Sequence, residues 1–385
     1  MTQRVPEEET LTLDTPVAPE RNPMRDPANR LKLAVFCANV ARGTSMSEAE
    51  TLPKVTWEES QRLALAADRA GIDGMIPLGR WKATARGARE VDRTFEPWVW
   101  ASALSAITER ISVFTTVNMQ QYHPLVAALM TSTIDHVSGG RFSLNVVAGF
   151  NEQEFRMLGL EVPSHEDRYA HAAEWMTIVR RTWSDPAPFD FDGDHLHVHE
   201  VVSEPKPLQQ PAPPIMSAGT SDLGRRFAAR HADINFVHLP SLEEMPGIVA
   251  TAKAEAREDS GRDVEIFSSA YIVVADTEEE AWRRYRHVTR EKLDEKAAAG
   301  LIEMWERLSK GGEVIDVRER IDRMAAGFNA MPFVGTAEQV AELFVRAADG
   351  GLDGLAISWD DYDEGLQAYE EQVRPLLLQA GLRKD

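Results

Sequence analysis

The sequence predicts an α/β fold, a (β/α)8 TIM barrel with insertions, and three observations predict it. Short apolar runs of strand length alternate with helical patterns along most of the chain, which is the mark of a parallel sheet. Eight such strands can be counted, and eight β/α units suit closure into a barrel better than an open sheet. The loop after the first strand, Ala38 to Ser45, lacks the glycine fingerprint that an open nucleotide-binding sheet would carry there.

The elements follow in order. Residues 1–30 are rich in Glu, Pro, Asp and Thr and read as a flexible arm; the barrel occupies residues 31–385. Residues 32–40 are the first strand. Thr56 with Glu59 forms a capping box for a helix that Gly71 closes. Residues 72–78 are the second strand, and a polar loop with Gly79, Arg80, Trp81 and Lys82 leads to a helix near 96–108 and a third strand at 110–118. A helix over 124–139 precedes the fourth strand, 140–149. After a helix near 167–183 comes a hairpin insertion near 185–212, with its turn at Asp192, Gly193 and Asp194. Strands at 213–219, 233–239 and 263–276 alternate with helices at 221–232 and near 242–258. Residues 277–330 read as a charged helical insertion with little strand character. Thr336 opens the next helix, residues 351–359 are the eighth strand, and a final helix runs from Asp361.

Composition narrows the function. The chain has 385 residues, of which 43% are hydrophobic and 27% charged, an ordinary globular mix. Lys plus Arg is 42 against 62 for Asp plus Glu, a net charge of −20, which disfavours nucleic acid and anionic membrane as partners. No apolar run approaches the ~18 residues of a membrane span, and the N-terminus lacks the apolar region of a signal peptide. Cys37 is the only cysteine, so neither an internal disulfide nor a cysteine-held zinc is expected. The cytoplasm is the expected compartment.

In a barrel the chemistry lies where strands run into loops. The polar residues there are Asn39, Pro77 to Arg80, Thr115, Thr116, Asn118, Asn145, Ser217, His238 and Trp359. Asn145 interrupts an apolar strand with a residue that needs hydrogen-bond partners when buried. Gly219 and Ser221 stand at a helix start, which suits a phosphate as well as an ordinary N-cap. His195, His197 and His199 alternate and would share one face of a strand, but they sit in the polar hairpin and no metal is expected. Nucleophile-elbow, P-loop, H-E-x-x-H and G-x-G-x-x-G motifs are all missing.

Longer motifs carry the reading further. They are Thr133-Ile134-Asp135 with Ser138-Gly139-Gly140-Arg141, Asn145-Val146-Val147 with Gly149, Glu154 with Gly159, Arg168-Tyr169, and Ala218-Gly219 with Ser221 and Gly224. With them the chain from about Leu31 to its last helix resembles the bacterial luciferase-like family of flavin-dependent monooxygenases. Within it the chain is similar to the subgroup of pyrimidine, dimethyl sulfone and dibenzothiophene sulfone monooxygenases. The resemblance implies a TIM barrel holding FMN at the C-terminal ends of its strands. It also implies reduced FMN from a separate NAD(P)H:flavin reductase, used with oxygen to oxygenate and cleave a carbon–heteroatom bond. The small-molecule substrate would be a sulfone, a ring amide or a halogenated aromatic, and a homo-oligomer is expected. Asn145 and Thr116 would be catalytic, beside the flavin ring where oxygen reacts. Gly79 and Arg80 would also meet the flavin, Glu154, Arg168 and Tyr169 would hold its ribityl-phosphate arm, and Ser221 its phosphate. Trp81, Trp98, Trp100, Tyr122, Phe150 and Trp359 would wall the cavity. The alternatives are a deazaflavin-dependent oxidoreductase on the same barrel, and a non-catalytic flavin-binding protein, against which Thr116, Asn145, Arg168 and Tyr169 speak.

Overall fold

The structure is a computed structural model that describes residues 16–43, 45–82, 93–149, 151–299 and 317–384. In chain order the strands are β1 (Lys32–Phe36), β2 (Gly74–Ile76), β3 (Ser112–Asn118), β4 (Phe142–Val147), β5 (Phe189–Asp192), β6 (His197–Val201), β7 (Ile215–Ser217), β8 (Ile234–Phe236), β9 (Glu265–Val274), β10 (Met331–Gly335) and β11 (Gly354–Trp359). Eight of them close a parallel barrel in the order β9-β11-β1-β2-β3-β4-β7-β8, with β8 returning to β9. These eight coincide with the eight expected from sequence. The helices that matter below are α1 (Trp57–Arg69), α2 (Pro97–Ser105), α3 (Pro124–Ser138), α4 (Glu152–Met157), α5 (His165–Ser184), α6 (Asp222–His231), α7 (Met245–Ser260) and α8 (Glu278–Arg286). The Thr56–Glu59 capping box is present at the start of α1.

Strand alternation sorts the core into two shells. Ala34, Ile76, Phe114, Met216, Ile234, Phe236, Phe267 and Ala356 fill the barrel. Leu33, Val35, Val113, Leu144, Ile215, Ala270 and Ile357 belong to the shell shared with the helices. Three aspartates, each just ahead of a strand, set the lower rim. Asp73 accepts the Leu33 N–H at 2.7 Å, Asp233 the Ile215 N–H at 2.9 Å and Asp353 the Ile266 N–H at 2.7 Å. Each is also paired with a base, namely Arg383, Arg262 and Lys253.

Three elements differ from the sequence expectation. Within the expected arm, residues 16–30 are packed rather than loose. Asn22 is fully buried and donates to Phe142 O, Ser143 Oγ and Gln209 Oε1 at 3.0–3.1 Å, and Met24, 2% exposed, plugs the barrel floor. Residues 1–15 lie outside the described residues. The helical insertion 277–330 is followed by a strand that was not expected, β10, which pairs with the outer half of β9 beyond the barrel. Pro332 hides this strand in the sequence, and its missing N–H suits the edge position that the strand takes. Residues 300–316 of that insertion lie outside the described residues. In the hairpin β5–β6, His195 sits in the turn and β6 starts only at His197, so the three histidines do not line one strand face.

Candidate active site

The upper ends of β2, β3 and β4 meet at a polar corner of the barrel mouth. Thr116 and Asn145 are register partners on β3 and β4. Thr116 is 6% and Asn145 7% exposed, and both face inward. The Asn145 amide donates to Thr116 Oγ1 at 3.0 Å, and that hydroxyl donates to Pro77 O at 2.5 Å. Asn145 Oδ1 is left buried without a partner. Gly79 completes the corner, since a Cβ there would lie 2.8 Å from Thr116 Cγ2 and 2.9 Å from Thr116 O. Only a residue without a side chain lets the loop come this close. Arg80 is near enough to Cys37 to oppose the rise that burial imposes on the thiol.

Above this corner Glu154 on α4 organises the loops. Its carboxylate accepts the N–H groups of Trp81 and Lys82 at 2.9 and 3.2 Å, the Asn151 amide at 3.0 Å and the Gln121 amide at 3.0 Å. Gln120 continues the chain of contacts, with its amide 3.0 Å from His171 Nδ1 and 3.4 Å from Arg168 O on α5. Arg168 itself donates to Pro163 O at 2.8 Å. Its neighbour Tyr169 bonds to Ser221, and burial raises the phenol more than that bond and Arg168 lower it. The Tyr169 hydroxyl lies against Gly219 and Gly224, where a Cβ would fall within 2.8 Å of it. Ser221 is the N-cap of α6, its Oγ accepting the Gly224 N–H at 3.1 Å.

The residues expected from sequence thus fall into two groups. Gly79, Thr116 and Asn145 form one, and Tyr169 and Ser221 the other. Glu154 and Arg168 are tied between them through the loop 118–122. Alternation removes several strand-end candidates. Thr115 follows inward-facing Phe114, Ser217 follows inward-facing Met216, and Trp359 packs in the outer shell, so all three face the helices. The expected aromatic wall is smaller than six. Trp81 and Tyr122 meet edge to face at 6.4 Å, whereas Trp98 is stacked on Phe142 and Trp100 donates to Ser60 within the helical layer. Phe150 lies outside the described residues. Gln120, Gln121 and Asn151 were not singled out from sequence, although the polar run at 118–121 was a signal.

The corner fits a flat aromatic cofactor on its own chemistry. A buried amide oxygen and a hydroxyl lie together with a glycine packed against the hydroxyl's residue, and the loop 118–122 links them to a glycine-lined helix start with a phenol and a serine. Among the described residues, no group of three His, Cys, Asp or Glu is placed to hold a metal, and no helix is long and apolar enough to cross a membrane.

The family model described as luciferase-like monooxygenase matches residues 31–354. The pyrimidine monooxygenase RutA of Acinetobacter baylyi is 27% identical over 355 residues, covering 90% of this chain and 95% of that protein. Among solved structures, a riboflavin lyase (RcaE) determined with modified FMN and riboflavin superposes with a TM-score of 0.78 at 21% identity, covering 92% of each chain. The long-chain alkane monooxygenase LadA also reaches 0.78, at 20% identity and 92% coverage of each chain. At such identities the structural likeness speaks to fold alone.

Proposed function

The chain belongs to the luciferase-like monooxygenase family, and from that premise we propose that it is a two-component enzyme that takes reduced FMN from a separate NAD(P)H:flavin reductase. With oxygen it oxygenates a small organic molecule and cleaves a carbon–heteroatom bond, the named relative pointing to a ring amide of the pyrimidine type. The observation that carries this reading is the Thr116–Asn145 pair, with Asn145 Oδ1 unpartnered among the described residues and Gly79 packed against Thr116.

When bound, FMN supplies the electrons and the oxygen chemistry, which side chains cannot provide. Asn145 and Thr116 would take the ring and the oxygen at the inner corner, with Gly79 and Arg80 along the ring edge. Glu154, Arg168 and Tyr169 would hold the ribityl-phosphate arm, and Ser221 the phosphate at the start of α6, where the helix dipole favours an anion. Because the Thr116 hydroxyl gives its proton to Pro77 O, it faces Asn145 as an acceptor and has no second proton to release. The corner therefore orients through hydrogen bonds and does not acidify. Trp81 and Tyr122 would exclude water from above.

A homo-oligomer belongs to the same reading. Exposed Val99 on α2 and Val126, Leu129 and Val137 on α3 lie on helices with no Lys, Arg or Glu. In a chain of charge −20 an uncharged face is where a second copy meets least repulsion.

The test is aerobic turnover with FMN, a flavin reductase and NADH, using uracil, dimethyl sulfone and a halogenated phenol under labelled oxygen. Incorporation of label into one product class is expected, with FMN binding at about one per chain. Turnover without label in any product would overturn the monooxygenase reading, and sedimentation as a monomer would remove the oligomer from it.

A further inference from the structure

A second set of buried polar atoms lies in the barrel mouth, away from Thr116 and Asn145. His238 follows β8. Phe236, two residues earlier, belongs to the inner shell, while Val237 and Leu239 belong to the outer one. Alternation therefore turns His238 inward, where its ring meets Phe236 edge to face with centroids 5.7 Å apart. Ser269 is placed in the same way. It lies two residues beyond inward-facing Phe267 on β9, and Phe236 pairs with Phe267 across the two strands. The Val237 N–H donates to Phe267 O at 2.8 Å and closes the last rung of that pairing. His238 and Ser269 each lie two residues beyond this last rung, on the inner side of the barrel. Ser269 is 2% exposed. Neither His238 Nδ1 nor Ser269 Oγ has a hydrogen-bond partner among the described residues.

Buried polar atoms in native proteins are nearly always satisfied, and those that are not call for a reason. Two such orphans at the mouth of a barrel, one able to accept and the other to donate, are explained by a ligand that supplies the complements. Burial and Arg323 together set the state of the imidazole. Arg323 is 3% exposed, and among the described residues its guanidinium donates to the carbonyls of Leu239, Pro240, Asn329 and Ala330. Burial first, and this cation second, push the His238 ring down to about 4. The ring is therefore neutral at pH 7 and keeps a lone pair that an imidazolium would lack.

We propose that His238 and Ser269 are substrate-positioning residues that recognise a neutral amide or lactam group, the imidazole accepting its N–H and the hydroxyl donating to its carbonyl. This rests on the monooxygenase reading and adds to it the part of the substrate that is read on the β8–β9 side of the mouth. A sulfonate would find no formal charge on either group, and an alkane would leave both unsatisfied.

The experiment titrates FMN-loaded protein with uracil and with 1,3-dimethyluracil, which keeps the ring and carbonyls but has no N–H, following the flavin absorbance. The wild type is expected to prefer uracil by about five- to tenfold, the scale of one hydrogen bond. His238→Phe removes that preference while FMN affinity is unchanged, and His238→Gln restores part of it because an amide oxygen also accepts. Ser269→Ala weakens both probes alike, since both keep their carbonyls. A structural role for His238 would not alter the ratio between two probes that differ only in N–H groups. A His238→Phe protein that keeps the wild-type ratio overturns the assignment. So does a wild type that binds neither probe yet oxygenates dimethyl sulfone, in which case the monooxygenase reading stands. Failure to load FMN at all overturns both.

Discussion

Thr116 and Asn145 meet across two strands in a hydrogen bond that leaves one amide oxygen over. Asn145→Ala and Thr116→Val should fold and still bind FMN, because the groups proposed for the phosphate arm are elsewhere. Product formation should fall in both, with hydrogen peroxide released in its place: by about 10²–10³ in Asn145→Ala, which removes a positioned amide donor, and in Thr116→Val through loss of the acceptor that orients that amide. Quantifying product against peroxide checks this, and near-normal coupling in both variants would move the oxygen site elsewhere. Of the two, Asn145 stood out in the sequence as an amide in an apolar strand, whereas Thr116 did not, since β-branched residues are common in strands. Its inward direction came from its place opposite Asn145. Ser221 shows how one residue can carry two readings. It is the N-cap of α6, so Ser221→Ala should cost about 1 kcal/mol of stability in a urea melt without FMN, from the lost cap alone. Any additional loss of FMN affinity measures its contact with phosphate.

At the scale of elements, the mouth depends on insertions being held in place. The β5–β6 hairpin is fastened by Glu174 of α5, whose carboxylate accepts the N–H groups of Asp194, His195 and Leu196 at 2.8–3.0 Å. Burial alone would raise this carboxyl, but the three backbone bonds outweigh it and hold it below its usual value. The group therefore adds stability above the ordinary carboxylate range and loses it as pH falls through the lowered native value. The protection factors of the amides of residues 194–196, taken against the intrinsic rate at each pH, should fall under acid, and Glu174→Gln should reproduce the fall at pH 7 by weakening the docking about 1 kcal/mol. Exchange indifferent to both would mean that the turn is held by its own geometry. The hairpin was legible in the sequence from its Asp-Gly-Asp turn. Its anchor was not, because Glu174 lies on another element some 20 residues earlier.

Over the whole molecule, the barrel divides its work between two faces. The lower face is for stability, and the most recognisable motif of the chain belongs to it. Asp135 accepts from Gln209, and Arg141 donates to the carbonyls of Ser105, Thr108, Ile111 and Ser138. Arg383 and Lys384 close the same face against residues 29–31 and 71–73. Arg383, 4% exposed, pairs with Asp73 and donates to Leu31 O and Gly71 O, and Lys384 N donates to Asn29 Oδ1. Arg383→Ala would leave Asp73 buried without its cation, a loss of about 3–5 kcal/mol. A denaturant midpoint unchanged in that variant would show that water replaces the guanidinium.

Local patterns were enough for the number and order of the barrel strands, the helix caps and the hairpin, because periodicity, turn residues and capping boxes act over a few neighbours. They were also enough for the polar residues at strand ends. They could not tell which of these face the lumen, since a side-chain period of two turns on a register that only pairing with the next strand sets. Thr115, Ser217 and Trp359 were sorted outward, and Thr116, Asn145 and His238 inward, by that pairing alone. The plug at Met24, the edge strand around Pro332 and the closure through Arg383 likewise depend on partners more than 40 residues away in the chain. Such contacts leave no local trace. They are decided only when the sheet closes and brings these distant residues together.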